Sequence, residues 1–217
     1  MELEKTNLEN LKQGTRTNGK KYSVRDNRDR FFFPKEWFKF YDKLNKNQKF
    51  TFSCLINTGA RINEIRNVRV QDVDFENKRL ILRVTKIKSK AGHKNPRPRI
   101  IPLSTQFTKY LKKHIRDKKL ENDSYLGILS TPAANISLKK KLQEAGIKDW
   151  YMFSVHNIRK TLEVWLMALG VDGLKLTAHI GHSMSVAARN YLSADVLSFE
   201  EKSQIRIIIG DLYQNRV

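Results

Sequence analysis

Apolar residues recur at helical spacing over most of this 217-residue chain, but between Val70 and Leu103 the period shortens to the alternation of strands. A chain that changes period in this way is expected to fold mostly as helices, with one small sheet set among them. Strands are read at Val73–Phe75, Arg79–Lys86 and Arg99–Leu103, where β-branched residues are frequent. Glu76-Asn77-Lys78 turns the first into the second, and a longer loop, I-K-S-K-A-G-H-K-N-P-R-P from Ile87 to Pro98, joins the second to the third. The fold class predicted is α+β, mostly helical, with a small antiparallel β-sheet.

Helices flank this stretch on both sides. Pro34 suits the first turn of one that carries Trp37, Phe40, Tyr41 and Leu44. A second, over about Gln48 to Thr58, buries Phe52, Leu55 and Ile56 and stops at Gly59, after which Arg61 stands at a fresh helix start. Beyond the sheet, Ser104 opens a helix marked by Phe107, Tyr110, Leu111 and Ile115, and Ser137 is placed as the cap of one carrying Leu138 and Leu142. Asp172 caps a short helix through Leu176 and His179 that Gly181 breaks, and another is read from Ser185 to Leu192. S-F-E-E at Ser198–Glu201 has capping-box spacing and begins a C-terminal helix through Ile205, Ile208 and Leu212. Residues 1–30 are polar and mixed in charge, and read as a flexible basic arm or linker ahead of a single domain over 31–217.

Charge narrows the function. The formal net charge is +20, and between Lys78 and Leu120 fifteen Lys or Arg face a single acid, Asp117. Cations this dense repel one another unless a polyanion relieves them, and no strongly apolar helix face accompanies them, so nucleic acid is the expected partner and a membrane is not. One cysteine, Cys54, excludes an internal disulfide framework and fits a reducing, cytoplasmic setting.

The residues able to do chemistry gather between Ser154 and Tyr191. S-V-H-N-I-R-K-T starts a helix with Ile158, Leu162, Trp165, Leu166 and Leu169 on one face. His156 and Arg159, three apart on its first turns, can face one site, where the positive end of the helix favours an anion. His182 and Tyr191 follow, bringing a second imidazole and a phenol. His179 and His182 also form H-x-x-H, a metal pair in some proteins, but no third ligand lies at metal spacing. Trp150 and Trp165 are read as core, His93 and His114 as surface or DNA-facing residues without a chemical role, and Glu64 as orienting Arg61 or bracing the helix.

T-G-A-R-I-N-E-I at Thr58–Ile65, the basic hairpin ending in R-I-I-P-L, H-N-I-R-K-T, I-G-H-S and a tyrosine nine residues past His182 together resemble the catalytic domain of a tyrosine recombinase, the family of phage integrases and Xer-type resolvases. The resemblance runs from about Phe32 to Leu192, with the motifs in the family's order. It implies that Arg61 and Arg159 clamp a scissile phosphate, that His156 and His182 assist, and that Tyr191 attacks phosphorus to form a 3′-phosphotyrosyl bond. A lysine of the hairpin loop would protonate the leaving 5′ oxygen. Lys90, in S-K-A-G, fits best, with Lys86 and Lys88 as alternatives. Lys86, Lys88, Lys94, Arg97 and Arg99 would hold DNA.

Also implied are double-stranded DNA as substrate, self-assembly on it, no metal or ATP, and a cytoplasmic, nucleoid-associated place in a prokaryotic or viral context. A type IB topoisomerase would share this active-site logic, and a non-catalytic DNA-binding module could share the fold. Two departures stand out. Lys160 occupies a position where the family often has histidine, and residues 1–30 are too few and too polar for the helical core-binding domain that usually precedes this one. The chain is therefore expected to be a catalytic fragment or a minimal enzyme.

Overall fold

The structure, a computed structural model, describes residues 30–82, 98–181 and 197–214, and the backbone of 13–15 and 21–23. Two short strands, β1 (Gln13–Thr15) and β2 (Lys21–Ser23), pair antiparallel within the segment read as an arm. The helices are α1 (Pro34–Asp42), α2 (Lys46–Thr58), α3 (Ile62–Arg66), α4 (Thr105–Lys118), α5 (Thr131–Glu144), α6 (Val155–Ala168), α7 (Gly173–Ile180) and α8 (Phe199–Ile209). Between α3 and α4 lies an antiparallel sheet in the order β3 (Val73–Asp74), β4 (Arg79–Leu82), β5 (Arg99–Pro102). The predicted class, mostly helical with a small antiparallel sheet, is the class observed.

Local chemistry explains most boundaries. Asn45 caps α2 by accepting from the Gln48 backbone N–H, while the Gln48 side chain accepts from the Asn45 backbone in return. Asp172 accepts from the backbones of Leu174 and Lys175 and starts α7. The β3–β4 turn is held by Asp74, whose carboxylate accepts from both the backbone and the side chain of Asn77. Two helices differ from their predicted bounds. Ser130, not Ser137, caps α5, accepting from the Ala133 backbone, and Ser137 lies inside the helix where its hydroxyl accepts from Gln48 Nε2. Thr131-Pro132 looks like a loop in sequence, yet proline is at home in a first turn. α8 ends at Ile209 with Gly210 as its cap, so Leu212 is buried from the following turn and not from the helix.

The core is built on α2 and α6, which pack on each other. From Phe50 to Thr58 every residue of α2 is buried, as is Asn157 to Leu166 of α6. Helices this enclosed need apolar neighbours on several sides, and aromatics of the entering chain supply one. Phe32 is fully buried, with ring centroids 4.4 Å from Phe153, 5.3 Å from Trp37 and 5.5 Å from Phe40. Its backbone is fixed too: its N–H donates to Thr161 Oγ1 and its carbonyl accepts from Trp165 Nε1. Trp165 is core, as expected, and Trp150 packs at its edge. His114 is half-buried rather than fully at the surface: its ring stacks on Phe50 with centroids 3.3 Å apart and its Nε2 meets the Leu126 carbonyl, because α4 turns that face toward the core.

Because Phe32 joins the entering chain to both α1 and α6, Phe32→Ala is expected to cost about 3–5 kcal/mol. Urea denaturation followed by tryptophan fluorescence measures this directly.

Candidate active site

Arg159, on the second turn of α6, is only 4% exposed, so a full charge sits where water has little access. Its guanidinium donates to the Gly59 carbonyl at 2.7 Å and to the carbonyl of Ile180. Both acceptors belong to helix ends, where carbonyls lack intrahelical partners and the helix dipole is negative. The ends of α2 and α7 thus form a cradle for a cation. Gly59 makes their approach possible: its φ is +57°, and a Cβ there would lie 2.7 Å from Ile180 Cδ1.

The second part of the site is a carboxylate. Glu64, on α3 and 3% exposed, accepts from Arg61 Nη1 at 2.8 Å and from the Arg61 backbone at 2.9 Å. Its Oε2 also accepts from Arg99 Nη2 at 2.8 Å. Arg99 Nη1 donates to the Ile180 carbonyl at 2.5 Å, the same oxygen that Arg159 uses. Three guanidiniums are therefore joined through one carboxylate and one carbonyl.

The electrostatics follow from that count. Burial by itself would raise the Glu64 carboxyl, but the Arg61 backbone N–H and the charges of Arg99 and Arg61 hold it below the usual range. Arg159 is pushed down to about 9, first by burial and then by Arg61 and Arg99, and it stays protonated at neutral pH. Arg99 is lowered by burial and by Arg61, against the pull of Glu64. Three arginines against Glu64, with the buried Glu163 as a second carboxylate acting on Arg159, still leave the cluster short of negative charge. Arg61, whose side chain is half exposed, opens that surplus to solvent.

His156 is exposed at the second position of α6, one turn before Arg159. The helix start is fixed beneath it: Asn157 Oδ1 accepts from the Ser154 backbone and hydroxyl, and Asn157 Nδ2 donates to the Arg30 carbonyl. His156, Arg159 and Arg61 are thus placed by the three helix ends that the sequence marks with Ser154, Gly59 and Gly181. Lys86, Lys88, Lys90, Lys94, Arg97, His182, Tyr191 and the helix read at Ser185–Leu192 lie outside the described residues. Arg99, grouped by sequence with the DNA-facing cations, turns its guanidinium inward and has a side chain only 14% exposed.

Sequence spacing also misses the role of His179. It is 2% exposed, with Nε2 3.0 Å from the Thr58 carbonyl and Nδ1 3.0 Å from the Tyr213 hydroxyl. A carbonyl only accepts, so Nε2 carries the proton and Nδ1 accepts from the phenol. A neutral imidazole satisfies both partners. Its pKa is pushed down to about 3, mainly by burial, with Arg99 and Arg159 adding to the effect against the Thr58 carbonyl. Both nitrogens are thus engaged by protein atoms, and no cluster of metal-ligating side chains occurs among the described residues.

Comparison with known proteins identifies the fold and the family. The fold matches that of recombinase and integrase catalytic domains. A crystal structure of XerA recombinase superposes with a TM-score of 0.60 at 16% identity, over 87% of this chain and 65% of that one. The catalytic domain of bacteriophage HP1 integrase gives 0.55 at 16% identity, over 85% and 96%. The phage integrase family model matches residues 33–197, and the chain belongs to that family.

Among curated relatives, the tyrosine recombinase XerA of Saccharolobus solfataricus is 28% identical over 134 residues, covering 62% of this chain and 41% of that protein. That of Pyrococcus horikoshii is 24% identical over 144 residues, covering 64% and 47%. The chain thus spans about half the length of these relatives.

Two outcomes are expected. His179 binds no proton in the fold until about pH 3, whereas an unfolded histidine titrates near ~6.5. The stability it contributes is therefore complete above the unfolded value and is lost as pH falls below it, at up to about 1.4 kcal/mol per pH unit. Melting curves from pH 7.5 down to 5 should show a decline that is shallower in His179→Gln. Glu64→Gln leaves the arginines without their carboxylate and should cost about 3–5 kcal/mol. Denaturation with added sulfate should recover part of that loss, since the site then lacks an anion.

Proposed function

We propose that this chain is a DNA strand transferase, a site-specific recombinase or integrase that cuts and rejoins double-stranded DNA through Tyr191. The observation that carries this reading is the cationic surplus of Arg61, Arg99 and Arg159 over the carboxylates of Glu64 and Glu163, beside an exposed histidine at a helix start. Such a site suits a phosphodiester, whose two non-bridging oxygens take a planar guanidinium fork. The relatives named tyrosine recombinase, and a Tn1549 transposon integrase structure in complex with circular intermediate DNA (TM-score 0.61, 14% identity), favour the same substrate.

In this reaction Tyr191 Oη attacks phosphorus as its proton passes toward His156. Arg61 and Arg159 hold the non-bridging oxygens and neutralise the charge that builds on them. The bond from phosphorus to the 5′ oxygen breaks, and Lys90 protonates the departing oxygen. The phosphotyrosyl bond retains the energy of the phosphodiester, so a 5′ hydroxyl from the same or another strand can reverse the step without ATP. Arginines and histidines supply the charge stabilisation, so the step needs no metal. His182 holds a phosphate oxygen or the nucleophile.

The basic loop residues Lys86, Lys88, Lys94 and Arg97 contact the DNA backbone, and copies of the protein assemble on paired sites. No described helix is long and apolar enough to cross a membrane, and the proposed setting is the nucleoid of a prokaryotic or viral system.

Nicked duplexes carrying candidate attachment sites test the reading, because the cleaved end diffuses away and a covalent adduct accumulates. An adduct that survives EDTA and disappears in Tyr191→Phe is expected. Absence of an adduct on duplexes that the protein binds would overturn the catalytic reading in favour of a DNA-binding role.

A further inference from the structure

The sequence singles out two arginines for the phosphate, but the structure ties a third to both of them. Arg99 stands at the first position of β5, immediately after the loop that carries Lys90. One prong of its guanidinium reaches Glu64, the residue that also holds Arg61 by side chain and backbone. The other reaches the Ile180 carbonyl, which also receives Arg159. Its Nε is buried with no hydrogen-bond partner among the described residues.

The chain makes room for this side chain. A Cβ at Gly181 would lie 1.8 Å from Arg99 Nη1 and 2.7 Å from its Cζ, and Gly181 adopts φ +77°. A glycine here therefore does two things: it ends α7 in the left-handed conformation, and it lets a guanidinium lie flat against the backbone just before His182. An ordinary ion pair joining β5 to α3 would require neither the shared carbonyl nor this contact.

Building on the recombinase reading above, we propose that Arg99 is a positioning residue for the phosphate clamp, fixing Arg61 through Glu64 and Arg159 through the Ile180 carbonyl. It need not touch DNA to do so. The fork geometry is essential, because its two prongs meet acceptors on different elements, α3 and α7. Lysine supplies one charge at one point and cannot bridge them. The same link sets β5, and with it the end of the lysine-bearing loop, against the arginine pair.

The test measures adduct formation on nicked duplexes for the wild type, Arg99→Ala and Arg99→Lys, with DNA binding measured separately. Each duplex is made with an ordinary phosphodiester or with a neutral methylphosphonate at the scissile position. On the phosphodiester both variants should lose about 10²-fold in rate, the scale of a misplaced reacting group, while affinity changes little. On the methylphosphonate, which carries no charge for the clamp to neutralise, the defect should shrink markedly. An equal defect on both substrates, full rescue by lysine, or no defect at all would overturn the proposal.

If the wild type forms no adduct, the recombinase reading fails, and Arg99 is then judged in the DNA-free protein. There the guanidinium N–H protons of Arg61 and Arg159, followed by NMR, should exchange faster in Arg99→Lys than in the wild type. Unchanged exchange would sink the idea.

Discussion

The carbonyl of Ile180 is the point on which the arrangement of charge turns. It closes α7, it has no partner within its own helix, and it accepts from both Arg159 and Arg99. A buried guanidinium is costly unless its donors are met, and here the Nη groups of Arg159 and one of Arg99 are met by the ends of helices that the core already holds. Glu64 does the rest from α3, taking two arginines on one carboxylate. The positive surplus is therefore a property of how α2, α3, α6 and α7 terminate together, and the hydrophobic contact of α2 with α6 indirectly sets the spacing of the charges.

Much of this was legible in the chain itself. The change of period near Val70 marked the sheet, and glycines 59 and 181 marked the helix ends that became the cradle. Arg61 stood out beside the glycine stop at Gly59, and Arg159 beside His156 at the start of the helix that opens at Ser154. Glu64 was readable as orienting Arg61 or bracing the helix, since the two are three positions apart and both lie at the start of α3. What spacing could not show was pairing across the chain. Arg99 and Ile180 are 81 positions apart, and His179 and Tyr213 are 34 apart, so no periodicity links them. Arg99 looked like one more cation in a basic run, and only its neighbours separate it from the lysines around it. Ser137 was misplaced as a cap for a related reason: serine is favoured at helix starts, but Ser130 with Pro132 behind it was the stronger start.

Membership of the phage integrase family, with the fold to match, sets the scaffold, and the surplus of arginine is what the scaffold displays. The buried histidine next to Ile180 shows how fully that display is supported from behind. His179 ties Thr58, at the end of α2, to Tyr213, beyond the end of α8. The last described turn of the chain thus rests against the residue that precedes the shared carbonyl.

Arg30 has a mechanical consequence. Its side chain is anchored to Asp149 at 2.6 Å and to Glu36 at 2.5 Å and lies over the Phe153 ring, while its own carbonyl accepts from Asn157 on the first turn of α6. A pull on the chain upstream of Arg30 is therefore borne by α1, the turn before α6 and the start of α6 at once. Asn157 lies between His156 and Arg159, so tension that reaches Arg30 passes to those two residues across a single hydrogen bond.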